Sequence, residues 1–313
     1  MPAQLVAEPI SYSEGPGSAP REAPEGFTLL IPAYNEDQGI GPVLDGLCEE
    51  LETASPSVPF EILVVDDGSK DQTASVVRSK DSKRVRLVSH DFNRGYGASI
   101  KTGVRFANFP WIVTTDADGT YPHRAIPELL QHCRNYDMVV GARTGQNTAI
   151  PLLRRPAKWV LTRLAAYLSR QPIPDLNSGL RALKKSTFLR YEHILPEGFS
   201  LSTTITIALL TSGYRVKYVP IDYFKRTGKS KIRPIADTWN FLVLIVRTIL
   251  YFEPLRIFLP CALLFILAGM AVGVLSWRLT GRVMDVTTVL LCTTGIQMFA
   301  LGMVADVLSR RPR

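Results

Sequence analysis

Short apolar blocks, rich in β-branched residues, run through the first two-thirds of the chain, and each closes on polar or turn-forming residues. The blocks at about 27–32, 60–67, 85–89, 111–115, 138–142 and 215–219 read as strands. Between them, apolar positions recur at helical spacing over about 39–53, 72–80, 95–107, from near 122, and over about 200–212. Asp71 is placed to cap the second of these helices. The strand blocks are continuously apolar rather than alternating, so both of their faces should be covered. Alternation of such strands with helices predicts an α/β domain with a mostly parallel sheet flanked by helices.

The final third has a different pattern. Ile235, Trp239, Leu242, Val246, Ile249 and Leu250 fall at helical spacing, interrupted by Asp237, Asn240 and Arg247. This predicts an amphipathic helix in a membrane interface, with Trp239 and Tyr251 at headgroup level. Residues 256–277 and 286–308 are each long enough to cross a hydrocarbon layer of about 30 Å. Gly269 and Gly273 give the first span a small-residue face for close helix packing. Gln297 and Asp306 make the second less apolar, and Asp306 is expected near an interface. The turn at 278–285 is too short to be a domain, so both ends lie on one side. Arg310, Arg311, Arg313 and the basic preceding domain assign that side to the cytoplasm. Residues 1–26, rich in Pro, Ser, Glu and Gly, are expected to be a disordered tail without the apolar region of a signal peptide.

Charge narrows the partners. The 313-residue chain carries a net charge of +8, which favours phosphorylated substrates or a lipid surface. Nucleic acid is the weakest option, since neither a helix-turn-helix signature nor zinc-finger spacing is present. Cys48, Cys133, Cys261 and Cys292 are scattered and form neither a disulfide framework nor a metal-ligand pattern.

The densest candidate chemistry follows the block at 111–115, which runs into Asp116-Ala117-Asp118-Gly119. If extended geometry persists there, Asp116 and Asp118 project to the same side. Two such carboxylates repel unless a cation neutralises them. Mg²⁺ or Mn²⁺, with phosphate oxygens completing the shell, suits that pair. An ordinary surface turn is the alternative. Tyr34, Asn35 and Glu36 end the first strand, and Asp66 and Asp67 end the second. Ligands bind at this edge of α/β sheets, and three polar strand ends together favour a ligand site. His123 is the only histidine near the carboxylates. Asp175 and Asp222 are the remaining candidates for a general base. The loop Phe224-Lys225-Arg226-Thr227-Gly228-Lys229-Ser230-Lys231 packs cations around a glycine, as a phosphate cradle requires. Arg154, Arg155, Lys158 and Arg163 read as a solvated helix face.

Six segments then occur in order: Ile31-Pro32-Ala33-Tyr34-Asn35-Glu36, Val65-Asp66-Asp67-Gly68-Ser69, Asn93-Arg94-Gly95-Tyr96-Gly97, Asp116-Ala117-Asp118-Gly119, Gly141-Ala142-Arg143 and Ser178-Gly179-Leu180-Arg181. The set resembles the family-2 glycosyltransferases of GT-A fold. With the basic loop and the apolar hairpin, it resembles their polyprenyl-phosphate branch, of the dolichol-phosphate mannosyltransferase type. The resemblance implies a GT-A domain over 27–233, an interfacial helix over 234–253 and a transmembrane hairpin over 254–313. It implies donor-nucleotide contacts from Pro32, Tyr34, Glu36, Asp67, Asp116 and Ala117. Asp116 and Asp118 would serve the diphosphate and its Mg²⁺ or Mn²⁺. Thr120 stands where many relatives carry a metal-binding Gln. Arg143, Arg226, Lys229, Ser230 and Lys231 would hold phosphates, and Asp175 joins Asp116 and Asp118 in the catalytic set. The implied reaction is inverting transfer from a GDP- or UDP-sugar to a polyprenyl phosphate by a multi-pass membrane protein, its oligomeric state open.

Two rival readings remain at this level. One is a membrane-anchored binding subunit without catalysis. The other is a dinucleotide-binding oxidoreductase, because Gly95-Tyr96-Gly97 follows a strand, opens a helix and precedes Asp116 by about 20 residues.

Overall fold

The computed structural model describes residues 24–54, 58–80, 84–145, 163, 165–166, 171–198, 200–224, 243, 246–247, 249–251, 253–281 and 286–309. The tail at 1–23, the basic stretch with Arg154, Arg155 and Lys158, and the loop with Arg226, Lys229, Ser230 and Lys231 lie outside the described residues. So does most of the expected interfacial helix.

Among the described residues, seven strands form one sheet: β1 (Phe27–Ala33), β2 (Phe60–Asp66), β3 (Val85–Ser89), β4 (Trp111–Thr114), β5 (Met138–Ala142), β6 (Arg181–Lys184) and β7 (Val216–Pro220). Their order is β3-β2-β1-β4-β6-β5-β7. β1 pairs in parallel with both β2 and β4, in registers Ala33↔Asp66 and Leu30↔Thr114. Strand order therefore reverses at β1, which opens a crevice at the carboxyl ends of β1 and β4. β6 runs antiparallel between β4 and β5. The sequence places a strand after Ser178 but gives no sign of its direction. The reversal brings the start of β6 to the same edge as the ends of β4 and β5.

Helices α1 (Ile40–Ala54), α2 (Thr73–Ser79), α3 (Tyr96–Phe106), α4 (Ala125–His132), α5 (Lys185–Tyr191) and α6 (Leu201–Thr211) complete the α/β part. Neighbouring strand residues enter different cores. Leu29, Ile31, Ile62 and Val64 pack with Ile40, Leu44 and Leu47 of α1. Leu30, Leu63 and Val65 pack with Ile100, Val104 and Ile205 of α3 and α6. Strands buried on both faces need unbroken apolar runs, which is what the sequence carries.

α7 (Leu255–Thr280) and α8 (Val286–Ser309) form the C-terminal pair. Both are long and apolar enough to cross a membrane. The 25-residue span Leu255–Leu279 extends for about 37 Å. Leu264, Leu267, Leu275, Ile296 and Val304 remain exposed, an apolar surface that needs a lipid or protein cover. The small-residue face turns inward, within the pair. A Cβ on Gly269 would sit 2.6 Å from Cys292 Sγ, and one on Gly273 would sit 3.1 Å from Thr288 Cγ2. The Gly269–Gly273 face thus joins the two helices of one chain.

At the opposite, amino edge of the sheet, Glu61 is buried in a closed network. It accepts from Thr28 Oγ1 (2.7 Å), Asn108 N (2.6 Å), Asn108 Nδ2 (2.7 Å) and Arg86 Nη1 (2.7 Å). Burial works to raise its pKa, but these hydrogen bonds and the Arg86 charge outweigh burial and lower it. Its stabilising contribution is then full above the ordinary value of 4.5 and fades as pH falls through the depressed native value. Glu61→Ala should cost about 2–3 kcal/mol at neutral pH. The difference from wild type should shrink below pH 4.5, as read by denaturation monitored by tryptophan fluorescence across pH.

Candidate functional site

The strand ends meet at the carboxyl edge. Thr115 N donates to Leu30 O (3.1 Å) and Asp67 N to Ala33 O (2.8 Å), so the pairing of β1 with its neighbours continues past the strands. The extended geometry does not reach the acid pair: β4 ends at Thr114, and Ala117 and Asp118 lie in a turn. The shared direction expected of a strand is therefore replaced by separate supports for each carboxylate. Asp118 is buried and accepts from the amide (3.2 Å) and hydroxyl (2.7 Å) of Thr120. Thr120, itself fully buried, thus orients Asp118. Asp116 is half-buried above Gly179, where a Cβ would come within 2.9 Å of Oδ1 and 3.1 Å of Oδ2. Burial first, and then the Asp116 charge, push the phenols of Tyr96 and Tyr121 well above their ordinary range.

The loop after β1 is zipped to the turn after β2. Asn35, at φ 52°, donates its amide to Ser69 Oγ (2.9 Å) and accepts from Lys70 N (2.9 Å). Glu36 N donates to Thr73 Oγ1 (2.8 Å). Asp71 accepts from the amide (3.0 Å) and hydroxyl (2.5 Å) of Thr73, the first residue of α2, and from Asp37 N (3.2 Å). The N-cap position falls on Gln72, whose side chain makes no cap bond, and Asp71 holds the first helical amide from one residue further out. Burial opposes its ionisation, yet those donors lower its pKa. Pro32, Tyr34 and Glu36 line this rim half-buried, and Ala117 is buried beneath it.

Asp67 is buried and accepts from Arg94 N (2.9 Å) and Gly95 N (2.8 Å), with His90 Nδ1 2.8 Å away. His90 also bonds Thr102 Oγ1 (2.9 Å) and so ties this acid to α3. Sequence reasoning passed over His90, because no spacing distinguishes it. The same region removes the oxidoreductase reading. Glu197 O accepts from Ala98 N (3.0 Å) and would lie 2.8 Å from a Cβ on Gly95. Gly97 likewise packs against the Pro196 and Glu197 backbone. The glycines admit a crossing chain where a dinucleotide pyrophosphate would have to sit.

Just after β5, Arg143 forms an ion pair with Asp175. Arg143 Nε and Nη2 donate to Asp175 Oδ2 (2.7 Å) and Oδ1 (2.9 Å), and Arg143 N donates to Oδ2 (3.1 Å). Asp175 has no exposed surface. Burial would lower the Arg143 pKa, but the Asp175 bonds and charge raise it, so the guanidinium stays cationic. Its carbon lies 5.2 Å from the Tyr223 ring centre, and Tyr223 meets Tyr121 edge-on at 5.3 Å. Asp175 is thus engaged with Arg143 rather than open to a ligand proton. A buried carboxylate bonded through both oxygens to a guanidinium is a poor base, and it positions Arg143 instead. Ser178 Oγ donates to Gly141 O (2.5 Å), and Gly179 N donates to Tyr121 Oη (2.7 Å), which secures the segment beneath Asp116. Buried Arg181 donates to Ser178 O, Ser202 O (3.0 Å) and Thr206 Oγ1 (3.0 Å).

Phe224 N donates to Thr120 O (2.9 Å), so the chain enters the basic loop beside the Asp118 turn. Asp222 is half-buried, with Arg124 at 3.5 Å. His123 packs against Gly46 of α1, and its pKa is lowered by burial, consistent with a packing role. Among the described residues, no three His, Cys, Asp or Glu side chains cluster to hold a metal. Any ion at Asp116 and Asp118 would need further oxygens from its ligand.

Comparison with known proteins sets this geometry in context. Residues 28–191 match the family described as glycosyl transferase family 2, and residues 253–310 match the GtrB C-terminal hairpin. The chain is 30% identical over 212 residues to a dolichyl-phosphate hexose transferase of Haloferax volcanii, covering 67% of this chain and 88% of the relative. It is 32% identical over 274 residues to a dolichyl-phosphate beta-glucosyltransferase of Trichomonas vaginalis, covering 79% and 80%. An undecaprenyl-phosphate mannosyltransferase of Micrococcus luteus is 26% identical over 65% of this chain and 86% of its own. Among solved structures, glucosyl-3-phosphoglycerate synthase from Mycobacterium tuberculosis, in complex with Mn²⁺, uridine diphosphate and phosphoglyceric acid, shares the fold. Its TM-score is 0.56 at 17% identity, over 72% of this chain and 78% of that one.

Arg143→Ala should destabilise the protein by about 3–5 kcal/mol, because the buried Asp175 carboxylate would lose its guanidinium countercharge and two of its hydrogen bonds. Replacing the pair together, as Arg143→Met with Asp175→Leu, should cost clearly less than the two single losses combined. Denaturant titration of the four proteins of that cycle measures the difference.

Proposed function

The chain belongs to glycosyl transferase family 2, and from that premise we propose that it transfers a sugar from a nucleotide sugar to the phosphate of a membrane polyprenyl phosphate. The carrying observation is the carboxyl edge itself. Asp116 and Asp118 stand on separate supports, Arg143 is clamped by Asp175 on the far side of Gly179, and the chain continues into a hairpin long enough to span a bilayer.

The donor side is formed by Pro32, Tyr34, Glu36 and Asp67 with Ala117, next to the reversal in strand order. There the base and ribose are held, and the diphosphate points toward Asp116 and Asp118. Mg²⁺ or Mn²⁺ fits this donor set. The oxygens are hard, Thr120 holds Asp118 at a fixed angle, and Gly179 leaves the space that Asp116 occupies. Bound there, the ion would offset charge growing on the departing diphosphate. Arg143 adds a fixed cation facing the transferred or accepting phosphate.

The acceptor explains why the edge needs no base. A sugar hydroxyl must lose a proton to attack, whereas a phosphate monoester is already anionic at neutral pH. Its oxygen attacks the anomeric carbon from the face opposite the diphosphate, and a single displacement inverts that centre. Asp175 can then remain buried as the support of Arg143. The hairpin and the preceding amphipathic segment hold the edge at headgroup height, with the catalytic domain and both termini in the cytoplasm. Arg226, Lys229, Ser230 and Lys231 follow directly after Phe224, which is anchored to Thr120, and this supports their contact with the same phosphates.

The reading is tested by presenting a panel of GDP- and UDP-sugars to the full chain in vesicles containing polyprenyl phosphate, with Mg²⁺, Mn²⁺ or chelator. Lipid-linked sugar should form with at least one donor and should vanish with chelator. Donor binding without transfer across the panel would favour a binding subunit. Asp118→Ala should lower kcat by about 10²–10³-fold while the far-ultraviolet dichroism stays native. Near-normal turnover in that variant would exclude the proposed role of the acid. Lys229→Ala with Lys231→Ala should raise KM for the lipid phosphate or the donor about ten-fold, a loss of about 1.4 kcal/mol. Unchanged kinetics would return that loop to the solvated surface.

A further inference from the structure

α6 is unusual among the helices of the α/β part, because every residue from Leu201 to Leu210 is buried. Helices with one solvent face have a polar stripe for water, whereas here the polar stripe faces protein. Thr203 Oγ1 donates to Asn177 Oδ1 at 2.5 Å. One turn away, Ser202 O and Thr206 Oγ1 hold Arg181. Both partners belong to the segment 175–181, whose first residue clamps Arg143 and whose Gly179 supports Asp116.

The apolar side of the same helix faces the anchor. Ile207 and Leu210 share a buried cluster with Ile249, just before the membrane helices, with Leu176 of the site segment and with Ile173 shortly before it. Ile257, in the first turn of α7, packs against that cluster. α6 therefore holds the site segment with its hydroxyls and contributes Ile207 and Leu210 to the cluster against which Ile257 of the membrane anchor packs.

We propose that Thr203 is a positioning residue for Arg143, acting through Asn177, and that the cluster α6 shares with Ile249, against which Ile257 packs, makes this positioning depend on the anchor. The inference deepens the transferase reading, since the phosphate held by Arg143 is the one that reading supplies. The hydroxyl of Thr203 fixes the Asn177 side chain, and the backbone N–H of Asn177 donates to Asp175 Oδ1 at 3.4 Å. Asp175 in turn sets the plane of the guanidinium. Loss of the hydroxyl leaves the fold and the donor pocket in place but loosens the segment that aims the cation. A single hydrogen bond of this kind is worth about 1 kcal/mol, or roughly five-fold in a local opening equilibrium.

The test uses the full chain in lipid nanodiscs, with Thr203→Val, the conservative Thr203→Ser, and Ile257→Ala on the anchor. Amide hydrogen exchange of 177–181 is followed, with the Gly179 amide as reporter, because it donates to Tyr121 Oη in the native state. Transfer kinetics are measured on the same samples. Thr203→Val should speed exchange at 177–181 about five-fold, with the strands unchanged, and should lower kcat about ten-fold while KM for the donor stays within two-fold. Thr203→Ser should restore both readouts. Ile257→Ala should speed exchange of the same amides.

Unchanged exchange at 177–181 in Thr203→Val overturns the positioning role, and faster exchange with unchanged kcat overturns its link to Arg143. Faster exchange throughout the domain means that Thr203 is only structural. Unchanged exchange in Ile257→Ala overturns the dependence on the anchor. If Thr203→Val does not fold, Asn177→Ala, which removes the acceptor of the same hydrogen bond, is measured in its place with the same expected and overturning outcomes. A wild type that transfers no sugar fails the transferase reading, whereas the exchange data still judge the contact.

Discussion

A carboxylate without any exposed surface bonded through both oxygens to a half-buried guanidinium is the interaction on which the carboxyl edge depends. Removing such a pair from water costs several kcal/mol per ion, and attraction repays it only when the geometry is good and the remaining lone pairs are satisfied. Here the Arg143 amide supplies a further bond to the same carboxylate, and Tyr223 covers one face of the guanidinium. The net gain in stability from such a pair is small. Its consequence is orientation: the cation at the end of β5 is held by three bonds and cannot swing away. That arrangement suits a reaction in which negative charge shifts between phosphates.

The rest of the edge repeats the same device with neutral groups. Asp118 is held by Thr120, Asp67 by the backbone of Arg94 and Gly95, and Asp71 by Thr73 and Asp37. Asp67 and Asp71 also take donors from other loops and so lock those loops together, whereas Asp118 is fixed within its own turn. A ligand arriving at such an edge finds groups already ordered, and little side-chain entropy is lost on binding.

Much of this was legible in the chain. Continuous apolar blocks announced strands covered on both faces, and the polar residues at their ends announced the edge. The two long apolar segments announced the hairpin. What escaped reading has physical reasons. The direction of β6 is set by which strands it finds between β4 and β5, and a four-residue strand has no directional signature. Asp175 reads as a free acid until its partner 32 positions earlier is brought beside it. His90 looks ordinary until Asp67 and Thr102 fold around it. Gly179 reads as a turn residue, yet its role is to leave room for Asp116. In each case the missing information is a contact between distant segments, which local periodicity does not encode.

The reversal at β6 divides the edge by origin. The parallel strands β1, β2 and β4 deliver their polar residues as they leave the sheet, whereas Ser178, Gly179 and Arg181 are delivered as the chain returns to it. Between Arg143 and Asp175 the chain makes an excursion that starts and ends at one ion pair. Closing such a loop costs only about 0.6 kcal/mol more for each doubling of its length. Evolution can therefore lengthen, shorten or recompose that excursion while the clasp at its base keeps the sheet intact.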